Sequence, residues 1–194
     1  MSERLTTTRR WIRGERLTPA QRLALAAVFV GLGVALSTFS VPVGPARVFP
    51  FQHLINVVAG VMLGPAYAVL TAFGISVLRN AIGTGTLLAF PGSLFGALAV
   101  GVAYRYVRRT DLAAFAEPLG TVIVGALVGY ALIASLPAPT TYLGFIQANP
   151  PATQPYLGTF PGALALVASF AVSSVPGATL GYFALRALRR AGLR

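Results

Sequence analysis

The chain alternates between long apolar runs and short polar interruptions. Six spans follow from this pattern, at residues 22–40, 48–63, 65–82, 91–107, 118–136 and 161–188. A helix needs about 20 mostly apolar residues to cross the hydrocarbon core of a bilayer. Spans two to four are shorter, so they require tilt or local thinning of the bilayer. The pattern predicts an all-α, polytopic membrane protein with six transmembrane helices.

Composition supports the same class. Hydrophobic residues make up 56% of the chain and charged residues only 10%, whereas soluble domains carry about 25% charged residues. With no cysteine, one histidine and four acidic residues, the chain excludes disulfides and thiolate sites and has too few ligands for a metal site. We therefore expect this chain to bind no metal and no cofactor.

The arginines predict the orientation. With six spans, most of them fall on one face, together with all four acids, Glu3, Glu15, Asp111 and Glu117. Only Arg47 and Arg79 fall on the other face. The positive-inside rule assigns the arginine-rich face to the cytoplasm, so both termini are predicted to be cytoplasmic. The net charge of +11 then reflects topology, and we expect no nucleic-acid partner.

The chain divides into a tail and a membrane domain. We interpret residues 1–20 as a basic cytoplasmic tail, either disordered or with a short interfacial helix around Trp11, and residues 21–190 as a six-helix transmembrane substrate-binding domain. The tail has no early apolar core followed by a small-residue cleavage site, so it is not a cleavable signal. The expected location is the plasma membrane, as a multi-pass protein.

One polar run interrupts the apolar pattern between spans three and four. It reads Arg79-Asn80-Ala-Ile-Gly83-Thr84-Gly85-Thr86 and is followed by Phe90-Pro91-Gly92. A guanidinium and a carboxamide are costly beside lipid and usually face a cavity, a partner or the interface. Glycines allow a tight turn that bares backbone amides, and the two threonines add hydroxyls. This run predicts the polar mouth of a binding pocket, although Arg79 alone could also extend to the interface.

Further candidates lie on the same predicted outer face. His53 and Asn56 are three residues apart and share a helix face, whereas Gln52 points elsewhere. The functional interpretation places His53 and Asn56 in one cavity with the Arg79–Thr86 run; the alternative places His53 among lipid headgroups. Arg47 is either a gate contact or a solvated charge. With no carboxylate predicted near these cations, they favour a ligand with acceptor atoms, an aromatic ring or negative charge.

Aromatic residues supply a second set of ligand candidates. Phe90 is placed to stack on a ligand. Residues 137–160 form a long uncharged stretch, rich in proline, that suits an interfacial lid with a short helix within 142–148. Tyr142 and Tyr156 in this stretch could cover a ring-shaped ligand, but aromatic residues at a membrane interface are more often belt residues.

Small residues recur every four positions in several spans. In the first span they are Ala27, Gly31 and Ala35, and Ala20 and Ala24 precede them on a neighbouring stripe. Such stripes let helix backbones approach closely in lipid. They indicate either packing within the chain, the commoner use, or a docking surface for another membrane subunit.

The chain shows no energy source of its own. The Gly-Thr-Gly-Thr run lacks the Gly-Lys-Thr/Ser ending of a Walker A loop, and no predicted span carries an Asp or Glu at its middle, as ion-coupled carriers commonly do. A transport role therefore needs outside energy. The alternative is a stand-alone channel or facilitator for a small solute. An enzyme is the least supported, because acid–base pairs are scarce.

Four motifs lie close together between residues 49 and 93. They are Phe-Pro-x-Gln-His-x-x-Asn at 49–56, Leu-Gly-Pro at 63–65, Arg-Asn-x-x-Gly-Thr-Gly at 79–85 and Leu-Leu-Ala-Phe-Pro-Gly-Ser at 87–93. This combination resembles the ThiW-type substrate-binding subunits (S components) of energy-coupling-factor (ECF) vitamin importers. The resemblance is close over residues 22–108, and the last two spans match in hydropathy and length.

The resemblance implies capture of the thiazole precursor of thiamine, hydroxyethylthiazole, on the outer side of the membrane. It also implies docking on a transmembrane coupling subunit driven by two cytosolic ATPases, which alone would use ATP. In the wider class an Ala-x-x-x-Ala stripe on the first helix docks; the nearest equivalents here are Ala20/Ala24 and Ala27/Gly31. Hydroxyethylthiazole is neutral, whereas outer arginines suit an anion, so the free thiazole and a phosphate or carboxylate analogue both stay open.

Overall fold

The computed structural model describes residues 17–43, 46–135, 141–142, 146–147 and 160–192. Its helices are α1 (Pro19–Leu36), α2 (Pro50–Leu63), α3 (Pro65–Ala81), α4 (Pro91–Val102), α5 (residues 111–135) and α6 (Phe160–Arg190). Each predicted span thus coincides with a helix, and the helical class is confirmed. Four helical stretches are long and apolar enough to cross a membrane, at Pro19–Leu36, Leu87–Val107, Asp111–Leu132 and Pro161–Arg190. That all six helices cross the bilayer stays a prediction.

Proline marks the start of several helices, as the sequence indicates. Pro19, Pro50, Pro65 and Pro91 each occupy a first helical position, where the missing N–H costs nothing. The predicted turn at 64–65 is confirmed, because α2 ends at Leu63 and α3 begins two residues later.

Helix α5 begins earlier than the sequence predicts. We expected the fifth span to start at Pro118, but the helical path starts at Asp111 as a 3-10 turn, passes through an α turn at Ala116–Pro118 and a π segment at Leu119–Gly125, and ends as an α-helix at Ala126–Ser135. Pro118 lies within the first turns, where the change of helix type accommodates its missing N–H.

Two short antiparallel hairpins depart from the all-α prediction. Strand β1 (Val41–Val43) pairs with β2 (Ala46–Val48), and β3 (Thr141–Tyr142) pairs with β4 (Ile146–Gln147). The short helix suggested within 142–148 is therefore wrong, because its ends form strands. Strand β2 lies against α6 and β4 lies against α3.

Helix α2 is the centre of the bundle. It packs against α1, α3, α4 and α6, while α4 also packs against α3 and α5. Ten of its residues are buried, which fits a helix that is apolar on nearly all sides. Its polar residues, Gln52, His53 and Asn56, are buried with the rest, so each must find a partner inside the bundle.

Arginine-bearing helix ends meet at one end of the bundle. Arg22 Nη1, in α1, lies 3.5 Å from the carbonyl oxygen of Leu63, and Arg189 Nη2, in α6, lies 3.0 Å from Asp111 Oδ1. Arg105, just after α4, adjoins the turn at residue 64. We call this the basic end and the opposite end the loop end.

Helices α2 and α4 begin closer to the basic end than the tips of α5 and α6 at the loop end. The backbone N–H of Phe49 donates to Ser173 Oγ at 2.8 Å, and at 1.5 Å per residue α6 rises roughly 20 Å between Ser173 and its first residue. Gly125 of α5 packs on the carbonyl of Pro91, with roughly 15 Å of α5 beyond it. The polar residues at these helix starts therefore lie deep in the bundle.

Candidate functional site

The Gly-Thr-Gly-Thr loop folds back onto the end of α3. The backbone N–H groups of Thr84 and Gly85 donate to the carbonyl of Arg79 at 2.8 and 3.0 Å, and that of Gly83 donates to the carbonyl of Asn80 at 3.0 Å. Gly83 has a φ of 75°, a left-handed conformation that suits glycine. These bonds satisfy carbonyls that the helix end leaves open. The expectation that these amides are bare for a ligand is therefore wrong.

Asn80 holds the loop in place. Its Nδ2 donates to the carbonyls of Ser76 and Thr86, at 2.8 and 3.2 Å, and the residue is buried. The hydroxyl of Thr84 donates to the carbonyl of Arg79 at 3.3 Å. The structure thus gives Asn80, Thr84 and Thr86 a role in shaping the loop, while direct contact with a ligand stays a prediction for each.

Arg79 is almost fully buried among polar and aromatic partners. Its Nη1 donates to Gln52 Oε1, and its Nη2 donates to the carbonyl of Thr84 at 2.9 Å. The guanidinium carbon lies 3.8 Å from the ring centroid of Phe49, within the range of a cation–π contact. We call Phe49, Gln52, Arg79 and Thr84 the guanidinium cluster. Gln52, which we expected to point elsewhere, belongs to it.

Two donors of the guanidinium cluster have no partner in the described residues. Arg79 Nε and Gln52 Nε2 are both buried and make no hydrogen bond. A buried donor left unpaired costs about 1–3 kcal/mol. Two such donors in one cluster favour a group that accepts hydrogen bonds.

A second cluster surrounds the carboxylate of Glu117, which is fully buried. Its Oε1 lies 2.7 Å from His53 Nδ1, and it accepts from Asn56 Nδ2 at 3.1 Å and from Thr121 Oγ1 at 2.9 Å. The hydroxyl of Ser174 donates to Oε2. These five residues, from α2, α5 and α6, form the carboxylate cluster.

Helix α4 closes the carboxylate cluster with a glycine. A Cβ at Gly96 would collide with the Glu117 carboxylate and the Thr121 hydroxyl. The absence of a side chain therefore lets the α4 backbone approach the buried carboxylate. On the other side, a Cβ at Gly177 of α6 would collide with the Pro50 carbonyl and the His53 Cβ, so α6 approaches the start of α2 closely.

Glu117 lies inside a helix that the sequence predicts to begin one residue later. The fifth span is predicted to start at Pro118, which leaves Glu117 outside it on the cytoplasmic side. It lies instead within Asp111–Leu132, a stretch long and apolar enough to cross a membrane, and it pairs with His53. The expectation that His53 has no carboxylate near it is therefore wrong as well. The physical reason is the early start of α5, which places Glu117 inside the helix.

Serines connect the carboxylate cluster to the loop. Asn56 Nδ2 donates to the carbonyl of Ser93 at 3.2 Å, and the hydroxyls of Ser93 and Ser76 lie 3.1 Å apart. The carbonyl of Ser76 in turn accepts from Asn80. His53 and Asn56 therefore lie in a separate cluster from Arg79, joined to the loop by a polar path, where the sequence predicted one shared cavity.

The structure describes the side chain of only one of the four remaining candidates for substrate binding. Phe90 is half-buried, and its ring packs against Phe73 with 5.7 Å between centroids. Arg47 and Tyr142 lie on strands β2 and β3, but their side chains, and the whole of Tyr156, lie outside the described residues. A role in substrate binding stays a prediction for all four candidates, Phe90, Arg47, Tyr142 and Tyr156.

The small-residue stripe of α1 faces outward. Its members Ala20, Ala24, Ala27, Gly31 and Ala35 are all exposed, whereas the buried residues of α1 are Ala26, Phe29 and Gly33. At 3.6 residues per turn the stripe covers an arc of about 80°, roughly opposite the buried face. A Cβ at Gly31 would meet nothing within 4 Å. The stripe therefore takes no part in packing within the described chain, unlike the glycines of α4 and α6.

The two clusters present different chemical groups. Throughout the described ranges, no group of three or more His, Asp or Glu side chains is placed to hold a metal ion. The guanidinium cluster offers donors and an aromatic face, and the carboxylate cluster offers a buried imidazole. Groups of this kind can bind a small ring with acceptor atoms.

Comparison with known proteins tests the resemblance seen in the sequence. Residues 23–191 match the model of one family, described as ThiW, thiamine-precursor transporter protein. No curated protein and no solved structure gives a significant match. The family match runs from within α1 to just past the end of α6, so it covers the whole bundle that holds both clusters. The chain therefore belongs to the ThiW family of thiamine-precursor transporter proteins.

Proposed function

We propose that this chain is the substrate-capture subunit of an ATP-driven ECF importer and that its substrate is hydroxyethylthiazole. Family membership supplies the transport of a thiamine precursor. The observation that supports the capture-subunit assignment is the exposed small-residue stripe of α1, because small side chains let the helix of a partner subunit approach closely in lipid.

The partners are those that the resemblance to ECF importers implies, and the stripe is consistent with them. The chain has no Walker A loop, so in this proposal ATP hydrolysis falls to two cytosolic ATPase subunits. A transmembrane coupling subunit joins them to the stripe Ala20–Ala35, where small side chains let a partner helix approach closely. Because the basic end faces the cytoplasm under the positive-inside rule, the loop end faces outward and receives the substrate.

The guanidinium cluster supports a neutral substrate over a phosphate. Two arms of Arg79 are already engaged, by Gln52 and by the Thr84 carbonyl, whereas a phosphate is best held by the bidentate fork of a free guanidinium. The unpaired Arg79 Nε and Gln52 Nε2 suit single acceptor atoms. A thiazole nitrogen or a hydroxyl oxygen is such an acceptor.

Calorimetry on the purified chain in detergent tests the substrate. We expect saturable binding of hydroxyethylthiazole, with weaker binding of thiazole phosphate and of thiamine. Arg79→Ala and Asn80→Ala should each weaken the binding. Binding of the phosphate alone would overturn the neutral substrate and keep the transporter assignment. Unchanged affinity in both variants would overturn the site.

A further inference from the structure

His53 and Glu117 form a buried pair. Their closest atoms are 2.7 Å apart, and the relative exposure of the two side chains is 7% and 0%. A net charge in the interior of a membrane bundle is expensive. Among the described residues, His53 is the one cationic side chain that contacts Glu117, so compensation of the Glu117 charge by direct contact falls to His53.

Three arrangements of protons make the pair neutral. In the first, an imidazolium donates from Nδ1 to the carboxylate; in the second, a carboxylic acid donates to Nδ1 of a neutral imidazole. Both leave a hydrogen on Nε2 of His53. In the third, a carboxylic acid donates from Oε2 to Ser174 and accepts from Nδ1, which leaves Nε2 bare. Nε2 is therefore a hydrogen-bond donor if Glu117 is an ionised carboxylate in a neutral pair.

The other partners of Glu117 favour the imidazolium form. Asn56, Thr121 and Ser174 all donate to its two oxygens. An ionised carboxylate only accepts hydrogen bonds, whereas a carboxylic acid must itself donate one. Three donors in addition to His53 thus match a carboxylate.

The Nε2 atom of His53 is free to meet a ligand. In the described part of the chain it makes no hydrogen bond, and it is not one of the fully buried polar atoms that lack a partner. The remaining 7% exposure of the side chain is consistent with access to this nitrogen.

We propose that Glu117 holds His53 as an Nε2–H donor and that this donor binds an acceptor atom of the thiamine precursor. In this role His53 determines specificity and Glu117 is a positioning residue. The inference rests on the proposed function for the identity of the ligand, but the protonation of Nε2 is independent of it.

Nitrogen NMR tests the protonation without any ligand. The chain has a single histidine, so protein labelled with ¹⁵N-histidine gives ring signals from His53 alone. At pH 7 we expect Nε2 to be protonated, and Nδ1 to show the imidazolium shift. In Glu117→Gln, which removes the carboxylate beside Nδ1, the Nδ1 signal should shift, whereas Ser169→Ala, which removes a hydroxyl bonded to the Ala165 carbonyl, should leave the signals unchanged. An unprotonated Nε2 in the wild type would overturn the proposal.

Ligand analogues test the contact. Asparagine keeps a donor at the position of Nδ1 but has no atom at Nε2, so His53→Asn should weaken hydroxyethylthiazole binding about tenfold, as expected for one lost hydrogen bond. Two analogues locate the acceptor: hydroxyethylthiophene lacks the ring nitrogen, and 5-ethyl-4-methylthiazole lacks the hydroxyl. One of them should lose affinity in the wild type and lose none in His53→Asn. Equal losses in both proteins would overturn the contact.

Failure of the proposed function and failure of the His53 donor role give different results. If hydroxyethylthiazole does not bind the wild type while Nε2 is protonated, the substrate assignment and the ligand contact fall and the buried neutral pair stands. If hydroxyethylthiazole binds while Nε2 is unprotonated, the proposed function stands and the donor role of His53 falls.

Discussion

The guanidinium carbon of Arg79 lies 3.8 Å from the ring centroid of Phe49, so the end of α3 and the start of α2 meet through a buried cation and an aromatic face. Gln52 and the Thr84 carbonyl fix two further sides of the guanidinium. Arg79 therefore links the loop to α2. A substitution in the loop should displace the α2 residues that contact Arg79, and a substitution in α2 should displace the loop.

Replacing Arg79 by lysine should weaken hydroxyethylthiazole binding at least about tenfold, because an ammonium cannot reproduce the planar fork or its stacking on Phe49. Calorimetry on the purified variant measures the effect. Arg186→Lys is a matched control, since Arg186 also lies near an aromatic ring, that of Tyr182, but is exposed. Equal affinity of Arg79→Lys and wild type would contradict the site.

Gly96→Ala should destabilise the protein by about 1–3 kcal/mol, the usual range for overpacking a tight interior. The added methyl group would force Glu117 and Thr121 to move. Thermal unfolding in detergent measures the loss of stability. Gly31→Ala is the control, because its methyl group meets no atom within 4 Å; a similar loss in both variants would show that the α4–Glu117 contact is not tight.

Gly31→Leu should leave ligand binding intact and abolish uptake with the coupling partners, because a large side chain in the exposed stripe keeps a partner helix at a distance. Binding to the purified variant and uptake by cells that also express the coupling module measure the two effects separately. Leu32→Phe enlarges a neighbouring exposed residue outside the stripe and should preserve uptake. Normal uptake by Gly31→Leu would exclude this surface from docking.

Arg189→Gln should lower the free energy of unfolding by no more than about 1 kcal/mol, because the pair with Asp111 is partly solvated and such pairs contribute little. Arg189 is 53% exposed in its side chain. The difference should shrink further at high salt. Unfolding at two salt concentrations checks both statements, and a large loss that salt does not change would instead indicate a buried structural role.

The sequence predicts the positions of the helices well, and the reason is local. Apolar runs set the helix positions, and prolines at residues 50, 65 and 91 set three starts within the bundle. The spacing of His53 and Asn56 also predicts correctly that they share a helix face, since both reach Glu117.

The parts that the sequence does not predict depend on partners distant in the chain. Glu117 lies beside an arginine-rich turn and just before Pro118. A proline disfavours helical conformation in the residue before it, so the sequence predicts Glu117 to lie outside the bundle. Only contact with α2 and α6 shows it to be buried. A buried role for Gln52 likewise depends on Arg79, 27 positions away along the chain. One local signal for the first hairpin was available, the alternating valines of Val41–Val43 before a Gly-Pro turn.

Uptake of radiolabelled hydroxyethylthiazole into proteoliposomes tests the central claim most directly. Vesicles contain this chain alone, or this chain with the coupling subunit and both ATPases, each with and without ATP. The account predicts accumulation only in the complete complex with ATP, together with binding but no flux in vesicles that hold the chain alone. Flux through the chain alone, down a gradient and without ATP, would contradict a capture subunit and identify a stand-alone facilitator.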